Sequence, residues 1–251
     1  MTENKFNIKD TILAVDINEA TQAVKENRFK DAIKLLEINL IEHPDHIDSL
    51  YLAGVCSRYL KEFDDAIKYI ESLLVHAPDM GRAYQELAHI NRDMGNEEKS
   101  ISNYRQACEL NPALISSWMS LYEYFKKNNN KPALDHATEQ INKLKSLPNM
   151  LLYIDQVMNE GRLGVAELKC REFLKKNPTH TYAMSQLSEI ANRLGHFDDA
   201  ELLLEKAVQF NPDDGELRMK YALVLRKKQK FAKTMEQVNI LCDKYPDNLA
   251  Y

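Results

Sequence analysis

The chain is a succession of stretches with helical periodicity, in which small, large and turn-forming residues return at a fixed interval. Apolar side chains three or four positions apart predict one buried face per helix. Prolines stand between the stretches, and each ends the preceding helix because its φ angle is fixed and it has no N–H. Within two groups of three they lie 34 residues apart: Pro44, Pro78 and Pro112, then Pro178, Pro212 and Pro246. The pattern therefore predicts helix pairs that repeat every 34 residues.

Counting from 31 residues before each closing proline gives seven repeats. They occupy residues 13–46, 47–80, 81–114, 115–146, 147–180, 181–214 and 215–248, after a lead-in of residues 1–12. Residues 249–251 are interpreted as the truncated start of an eighth repeat. The fourth repeat is two residues short and carries Asn128-Asn129-Asn130, so we expect a shortened or tilted second helix there.

Side-chain size is also periodic within the repeat. Small residues at the eighth and twentieth positions would let the two helices of a pair approach closely. They are Ala20, Gly54, Ala88, Ser188 and Ala222, and Ala32, Ala66, Ser100, Ala166 and Ala200. Large residues at the seventeenth and twenty-fourth positions, and Trp118, are predicted to fill the core around this contact. They are Phe29, Phe63, Phe197 and Phe231, and Leu36, Ile70, Tyr104 and Leu204.

A 34-residue period that combines a small pair, a turn aromatic and a closing proline resembles the tetratricopeptide repeat (TPR). The resemblance covers residues 13–248. It implies an all-α fold, a right-handed superhelical solenoid of about fourteen helices. It also implies a scaffold that binds proteins or peptides, and a chain that is not itself an enzyme.

The residues around each proline suggest how the helices begin and end. The residue after the proline is often of a helix-capping type, as in Asp45, Asp79, Thr179, Asp213 and Asp247. Asn111, Asn177 and Asn211 precede their prolines, and asparagine tolerates the left-handed turn that follows many helices. We therefore expect an N-cap directly after the proline and a left-handed residue directly before it.

The C-terminal end carries no polar capping helix, which repeat arrays need. Asp247 and Leu249-Ala250-Tyr251 look like the start of another repeat, so we expect the chain to be the N-terminal part of a longer protein. Val238, Leu241 and Cys242 should lie along one side of the last helix. An uncovered apolar side of this kind favours self-association through the C-terminal end.

The composition limits the classes of partner and the cellular compartment that are expected for this protein. The formal net charge of −5 does not suggest a nucleic-acid binder, and no apolar run predicts a signal peptide or a membrane span. The four cysteines are far apart and form no CxxC pair. Buried, reduced thiols in a cytoplasmic protein are the expectation.

Residue types that could catalyse a reaction, bind a phosphate or hold a metal do not form a recognisable motif in the sequence. It has no glycine-rich phosphate loop and no HExxH motif. His43 and His46 flank Pro44 without a neighbouring cysteine, and exposed loop histidines are a better interpretation than a zinc site. We therefore predict no catalytic residue, no cofactor and no metal.

The groove lined by the first helix of each repeat is the candidate partner site. Cations recur near the end of these helices, either as a strip for an acidic peptide or because cations favour helix C-termini. The clamp of chaperone-binding TPR proteins, a lysine at position five with an asparagine at position nine, is missing. The groove residues predicted to bind a partner are Tyr51, Arg58, Tyr59, Arg82, Gln85, His89, Arg92, Asp93, Lys126, Arg193 and Arg226.

A narrower resemblance rests on residues 54–60, 83–92, 111–115 and Ser117-Trp118. These segments are similar to the N-terminal arrays of bacterial TPR-containing sulfotransferase-like proteins, in which a catalytic domain that uses 3′-phosphoadenosine 5′-phosphosulfate follows the array. The resemblance implies, as the alternative function, a substrate-presenting array of such an enzyme. Nothing in this chain matches the phosphosulfate-binding motif, so no catalytic residue is carried over.

Overall fold

The computed structural model describes the backbone of residues 8–246 and the side chains of residues 17–246. Over this part the chain forms fourteen α-helices and no strand, which confirms the all-α class. They are α1 (Ile8–Lys25), α2 (Phe29–Glu42), α3 (Ile47–Tyr59), α4 (Phe63–His76), α5 (Gly81–Asp93), α6 (Glu97–Leu110), α7 (Ile115–Lys127), α8 (Lys131–Lys145), α9 (Asn149–Asn159), α10 (Leu163–Lys176), α11 (Thr181–Arg193), α12 (Phe197–Phe210), α13 (Gly215–Lys227) and α14 (Phe231–Lys244).

The helices belong to two compact units. Helices α1 to α8 lie in the first, which ends at Lys145, and α9 to α14 lie in the second, which begins at Ser146. In both units each odd-numbered helix packs against the even-numbered helix that follows it, as expected for helix pairs. The division into repeats at the residues given above remains a prediction.

The contact between paired helices is made by the small residues that the sequence singled out. Ala20, Ala32, Ala66 and Ala200 are fully buried. A Cβ atom added at Gly54 would lie 2.5 Å from Cδ1 of Ile70 on the partner helix, so α3 and α4 touch there without room for a methyl group. The predicted close approach of the helices is confirmed.

The large residues follow the prediction only in part. Leu36, Ile70, Tyr104 and Leu204, at the twenty-fourth position, are at most 1% exposed, and Trp118 is also buried. The phenylalanines at the seventeenth position are each the first residue of a second helix, so they lie at the edge of the pair. Phe29 and Phe63 are half-buried and pack against the core. Phe197 is 38% and Phe231 62% exposed, so the assignment of these two residues to the core is wrong.

Helix starts differ by one residue from the expectation. The N-caps are the second residues after the prolines, among them His46, His180 and Asp214. Nδ1 of His46 accepts a hydrogen bond from the N–H of Ser49 at 3.2 Å. The residue after the proline is needed for the turn itself, so capping by Asp45 and the equivalent residues within the described part is wrong. His46 is thereby assigned a capping role.

The left-handed residue also lies elsewhere. Asn111, Asn177 and Asn211 have φ angles between −133° and −140°, so that prediction is wrong. Positive φ angles occur instead in the turn between the two helices of each pair, at the same point every time. They belong to Asn27, Lys61, Gly95, Asn129, Gly161, Gly195 and Gln229. The chain must reverse there in two or three residues, which requires the left-handed conformation.

The shortening expected in the fourth repeat occurs in a different helix from the one predicted. α8 has 15 residues and is not shortened, whereas α9 has 11. The residue before a proline is disfavoured in a helix, so Leu147 cannot begin α9 and the helix starts after Pro148. Where other pairs have small residues, Tyr122 and Leu134 are half-buried, and the fully buried small residue of α8 is Ala137.

At the C-terminal end, Leu241 is buried, Val238 is half-buried and Cys242 is exposed. These three residues therefore do not form a uniformly uncovered side of α14. The predicted start of an eighth repeat, residues 249–251, and its predicted cap Asp247 lie outside the described residues.

Candidate functional site

In the first unit, the predicted groove residues of α5 form one row. Arg82, Gln85, His89 and Arg92 are three or four positions apart, so they share one side of the helix. This α5 row lies between α3, which packs against α5, and α7, whose serines reach Gln85. Each member of the row is held by a neighbour on another helix or in its own turn.

Arg58 of α3 is engaged within the chain. Its Nε donates to Oε1 of Glu86 at 2.5 Å, and the two side chains are 12% and 4% exposed. Burial raises the pKa of Glu86, although Arg58 opposes the shift. Burial also lowers the pKa of Arg58, but the charge and hydrogen bond of Glu86 outweigh it and raise this pKa overall. Arg58 therefore joins α3 to α5 and is not a freely exposed cation.

Gln85 is fixed by two serines of the next helix pair. Its Oε1 accepts hydrogen bonds from the hydroxyls of Ser116 at 3.0 Å and Ser117 at 2.9 Å. Both bonds fall on the oxygen, which sets the orientation of the carboxamide. Its Nε2 has no acceptor in the described part of the chain and is not sealed from solvent. The amide nitrogen thus keeps N–H donors that a bound molecule could use.

His89 is held by Tyr104 of α6. Nδ1 of His89 lies 2.7 Å from the Tyr104 hydroxyl, which also accepts a hydrogen bond from Nη1 of Arg92 at 3.3 Å. The hydroxyl can then donate to Nδ1, which places the imidazole proton on Nε2. Burial, with Arg58 and Arg92 nearby, lowers the pKa of His89 to about 4. The ring is therefore neutral near pH 7 and offers an N–H donor.

Aromatic rings complete this side of the unit. The Arg82 guanidinium lies 4.7 Å from the centre of the Tyr51 ring. Tyr59 is 55% exposed and stacks on Phe29 with a centroid distance of 4.7 Å. The predicted residues of α3 and α5, together with Asp93, therefore lie in one cluster.

The remaining predicted residues belong to other helices. Lys126 is on α7, where its Nζ lies 5.8 Å from the centre of the Tyr122 ring. Arg193 and Arg226 belong to the second unit, and Arg193 pairs with Glu189 at 2.9 Å. Arg58 and Arg193, two cations of the predicted strip, are thus each paired with a carboxylate of the chain.

Several residues of the cluster were not identified from the sequence. Glu86, Ser116 and Ser117 fix predicted side chains but are not predicted as site residues. Tyr104 is predicted only as a core residue, yet its hydroxyl also contacts His89 and Arg92. Ser116 and Ser117 follow Gln85 by 31 and 32 residues, which is nearly one repeat. A comparison of polar residues in adjacent first helices would have revealed this pairing.

Other kinds of site have little support in the described residues. No group of three His, Cys, Asp or Glu side chains there is arranged to hold a metal ion. Burial raises the pKa values of Cys56, Cys108 and Cys170 to about 12, whereas Cys242 is exposed. Among the helices described, none has both the length and the apolar character to cross a membrane.

Comparison with known proteins gives distant relatives. A curated relative, the DnaJ homolog subfamily C member 7 homolog of Dictyostelium discoideum, is 22% identical over 236 residues. The match covers 91% of this chain but only 39% of that protein. It gives no support to the narrower sulfotransferase-like resemblance, which stays a prediction.

Solved structures are similar over most of the chain. The Naa15/Naa10 complex bound to HypK-THB matches with a TM-score of 0.47 and 16% identity, covering 95% of this chain and 37% of that one. The TPR2AB domain of yeast Sti1 in complex with pHSP90 matches with a TM-score of 0.37 and 14% identity, covering 94% and 91%.

Family models give the clearest match. One model of the tetratricopeptide repeat matches residues 17–80 and 186–248, and a second matches residues 81–114. Together with the paired helices and their buried small residues, these matches show that the chain belongs to the tetratricopeptide repeat family.

Proposed function

We propose that this TPR scaffold binds an extended segment of a partner protein along the α5 row. The observation that carries the proposal is the carboxamide of Gln85, whose oxygen is occupied by two serines and whose nitrogen has no acceptor among the described residues. A polar group fixed in this way loses little freedom on binding, which favours affinity. It is suited to donate to a main-chain carbonyl of a peptide.

His89 extends this arrangement by one helical turn. It lies four residues after Gln85, a rise of about 6 Å along α5. Alternate carbonyls on one side of an extended peptide lie about 6.6 Å apart. The Nε2 atoms of Gln85 and His89 could therefore serve two such carbonyls, and both donors are neutral near pH 7. Main-chain recognition of this kind depends little on the partner's sequence.

Charge contributes less to this proposal. Arg58 is paired with Glu86, and Arg92 lies 3.0 Å from Asp93. An acidic peptide therefore gains little at the centre of the first unit, and salt should change affinity only weakly. The cations on α7 and α13, including Lys126 and Arg226, are exposed and could add a secondary attraction.

The test uses peptides selected from a random display library on the immobilised protein. Gln85→Leu should weaken the best peptides about 3- to 10-fold, as expected for one lost hydrogen bond. Gln106→Leu, a half-buried glutamine on α6, is the matched control. Fluorescence anisotropy measures both. If the two variants bind equally well, or if the library yields no binder, the proposal is wrong.

Self-association is a second proposal, favoured by apolar side chains on α14. Phe231 and Met235, one turn apart, are 62% and 56% exposed, and no described residue covers them. A second copy of the chain is the occupant proposed for this side. Light scattering over a range of concentrations tests it, and a constant monomer mass would contradict it.

A further inference from the structure

A cavity of about 590 Å³ adjoins the α5 row. It lies between the end of α5, the first half of α6 and the second half of α7. Tyr104 connects the two features, because its ring lines the cavity while its hydroxyl contacts His89 and Arg92. A peptide held by Gln85 and His89 would therefore pass beside this cavity. Its volume is within the range of pockets that hold ligands.

The walls of the cavity suit a long side chain with a flat end. Ile101, Tyr104 and Tyr124 provide apolar and aromatic surface. Tyr104 is 1% exposed, and Ile101 and Tyr124 are half-buried, so these walls belong to the packed helices. Aromatic rings stack well on a guanidinium group, and apolar walls cover its methylene stem.

The charges at the rim are not balanced. Lys127 pairs with Glu97 at 2.8 Å, and Arg92 pairs with Asp93 at 3.0 Å. Glu123 also lines the cavity, is exposed, and has no cationic partner among the described side chains. Asp93 pairs with Arg92 from outside the lining, so Glu123 is the one charged side chain of this lining that forms no ion pair with a described residue. Charge complementarity therefore selects a cation.

We infer that this cavity receives an arginine side chain of the bound peptide, with the guanidinium against Tyr124 and its charge opposite Glu123. The inference rests on the proposed peptide-binding function and adds a preference at one position. It differs from the acidic partner expected from the sequence, because Arg92 and Lys127, the two cations that line the cavity, are paired within the chain whereas Glu123 is not. Arginine fits better than lysine because its planar group both stacks and forms two parallel hydrogen bonds with a carboxylate.

The experiment is a display selection with random peptides on three full-length proteins. They are the wild type, Glu123→Lys, and Glu139→Lys as a control for charge on an exposed position of α8. The wild type and the control should enrich arginine at one position of the peptides. Glu123→Lys should lose this preference and favour an acidic residue there. It should also bind the best wild-type peptide on the order of fivefold more weakly.

The outcomes distinguish a failure of the arginine preference from a failure of the peptide-binding proposal. Peptides enriched without arginine, or the same arginine preference for Glu123→Lys as for the wild type, would overturn the inference and leave the peptide-binding proposal intact. No enriched peptide on any of the three proteins would overturn both. A preference for lysine equal to that for arginine would show attraction to Glu123 without the stacking, and would overturn the choice of arginine.

Discussion

The left-handed residue in each intra-repeat turn makes a quantitative prediction. Lys61 has a φ angle of 64°, whereas Gly195 occupies the same point of its own turn with a φ angle of 81°. Both donate their N–H to the carbonyl three residues earlier, Lys61 at 2.9 Å and Gly195 at 3.2 Å. The two turns therefore share one geometry but differ in the residue that adopts it.

The expected magnitude follows from two opposing terms. The left-handed conformation of a residue with a Cβ atom lowers the stability of the folded protein by about 1–2 kcal/mol. Glycine avoids this cost, but it lowers stability by about 0.4–1 kcal/mol because it increases the conformational entropy of the unfolded chain. Lys61→Gly should therefore stabilise the protein by about 0.5–1 kcal/mol, and Gly195→Ala should destabilise it by a similar amount. A Cβ atom at Gly195 meets nothing within 4 Å, so no clash contributes.

Urea unfolding followed by circular dichroism measures both changes. With an m-value of about 2–3 kcal/mol per M, the midpoints should move by about 0.3 M in opposite directions. Asn27→Gly is the internal control, and its gain should be smaller because asparagine tolerates the left-handed region. If Lys61→Gly lowered the midpoint, or if Gly195→Ala raised it, the backbone argument would be refuted.

Two further predictions concern the groove. Arg58→Met leaves Glu86 buried without its partner and should cost about 3–5 kcal/mol in urea unfolding, most of which Glu86→Leu should restore in the double variant. An equal loss in both variants would show that packing of the arginine, not its charge, matters there. The pKa of His89 falls from 6.5 to about 4 on folding, so the native state binds fewer protons between these values. Stability should therefore decline as the pH is lowered from about 6.5 to 4, by up to about 3 kcal/mol, and His89→Gln should reduce the decline. An unchanged pH profile in that variant would assign the decline to other groups.

Much of the fold could be predicted because the repeat imposes the same local physics several times. The prolines gave the period, and Ala66 and Gly54 gave the face along which α3 and α4 meet. The position of the caps and of left-handed residues was missed by sequence reasoning. These features depend on which residue of a short turn occupies each place, and neighbouring polar residues such as Asp45 and His46 compete for the same role.

The candidate site was harder to predict because its partners come from different repeats. Arg58 is predicted to bind a partner in the groove, yet Glu86, 28 residues later, pairs with it. Gln85 is predicted to be a groove residue, but its orientation depends on Ser116 and Ser117 of the next helix pair. A sequence shows the position of a side chain on its own helix, whereas these contacts depend on the packing of adjacent repeats.

Because three of the four thiols are buried, one cysteine of this protein can be labelled selectively. A cysteine reacts with alkylating dyes as the thiolate, and a pKa of about 12 leaves fewer than about one in ten thousand of the Cys56, Cys108 and Cys170 thiols ionised near neutral pH. Cys242 lies exposed on α14. A maleimide fluorophore should therefore attach at this one position in the folded wild type, without removal of the other cysteines. The label would lie in the second unit and would alter no residue of the α5 row.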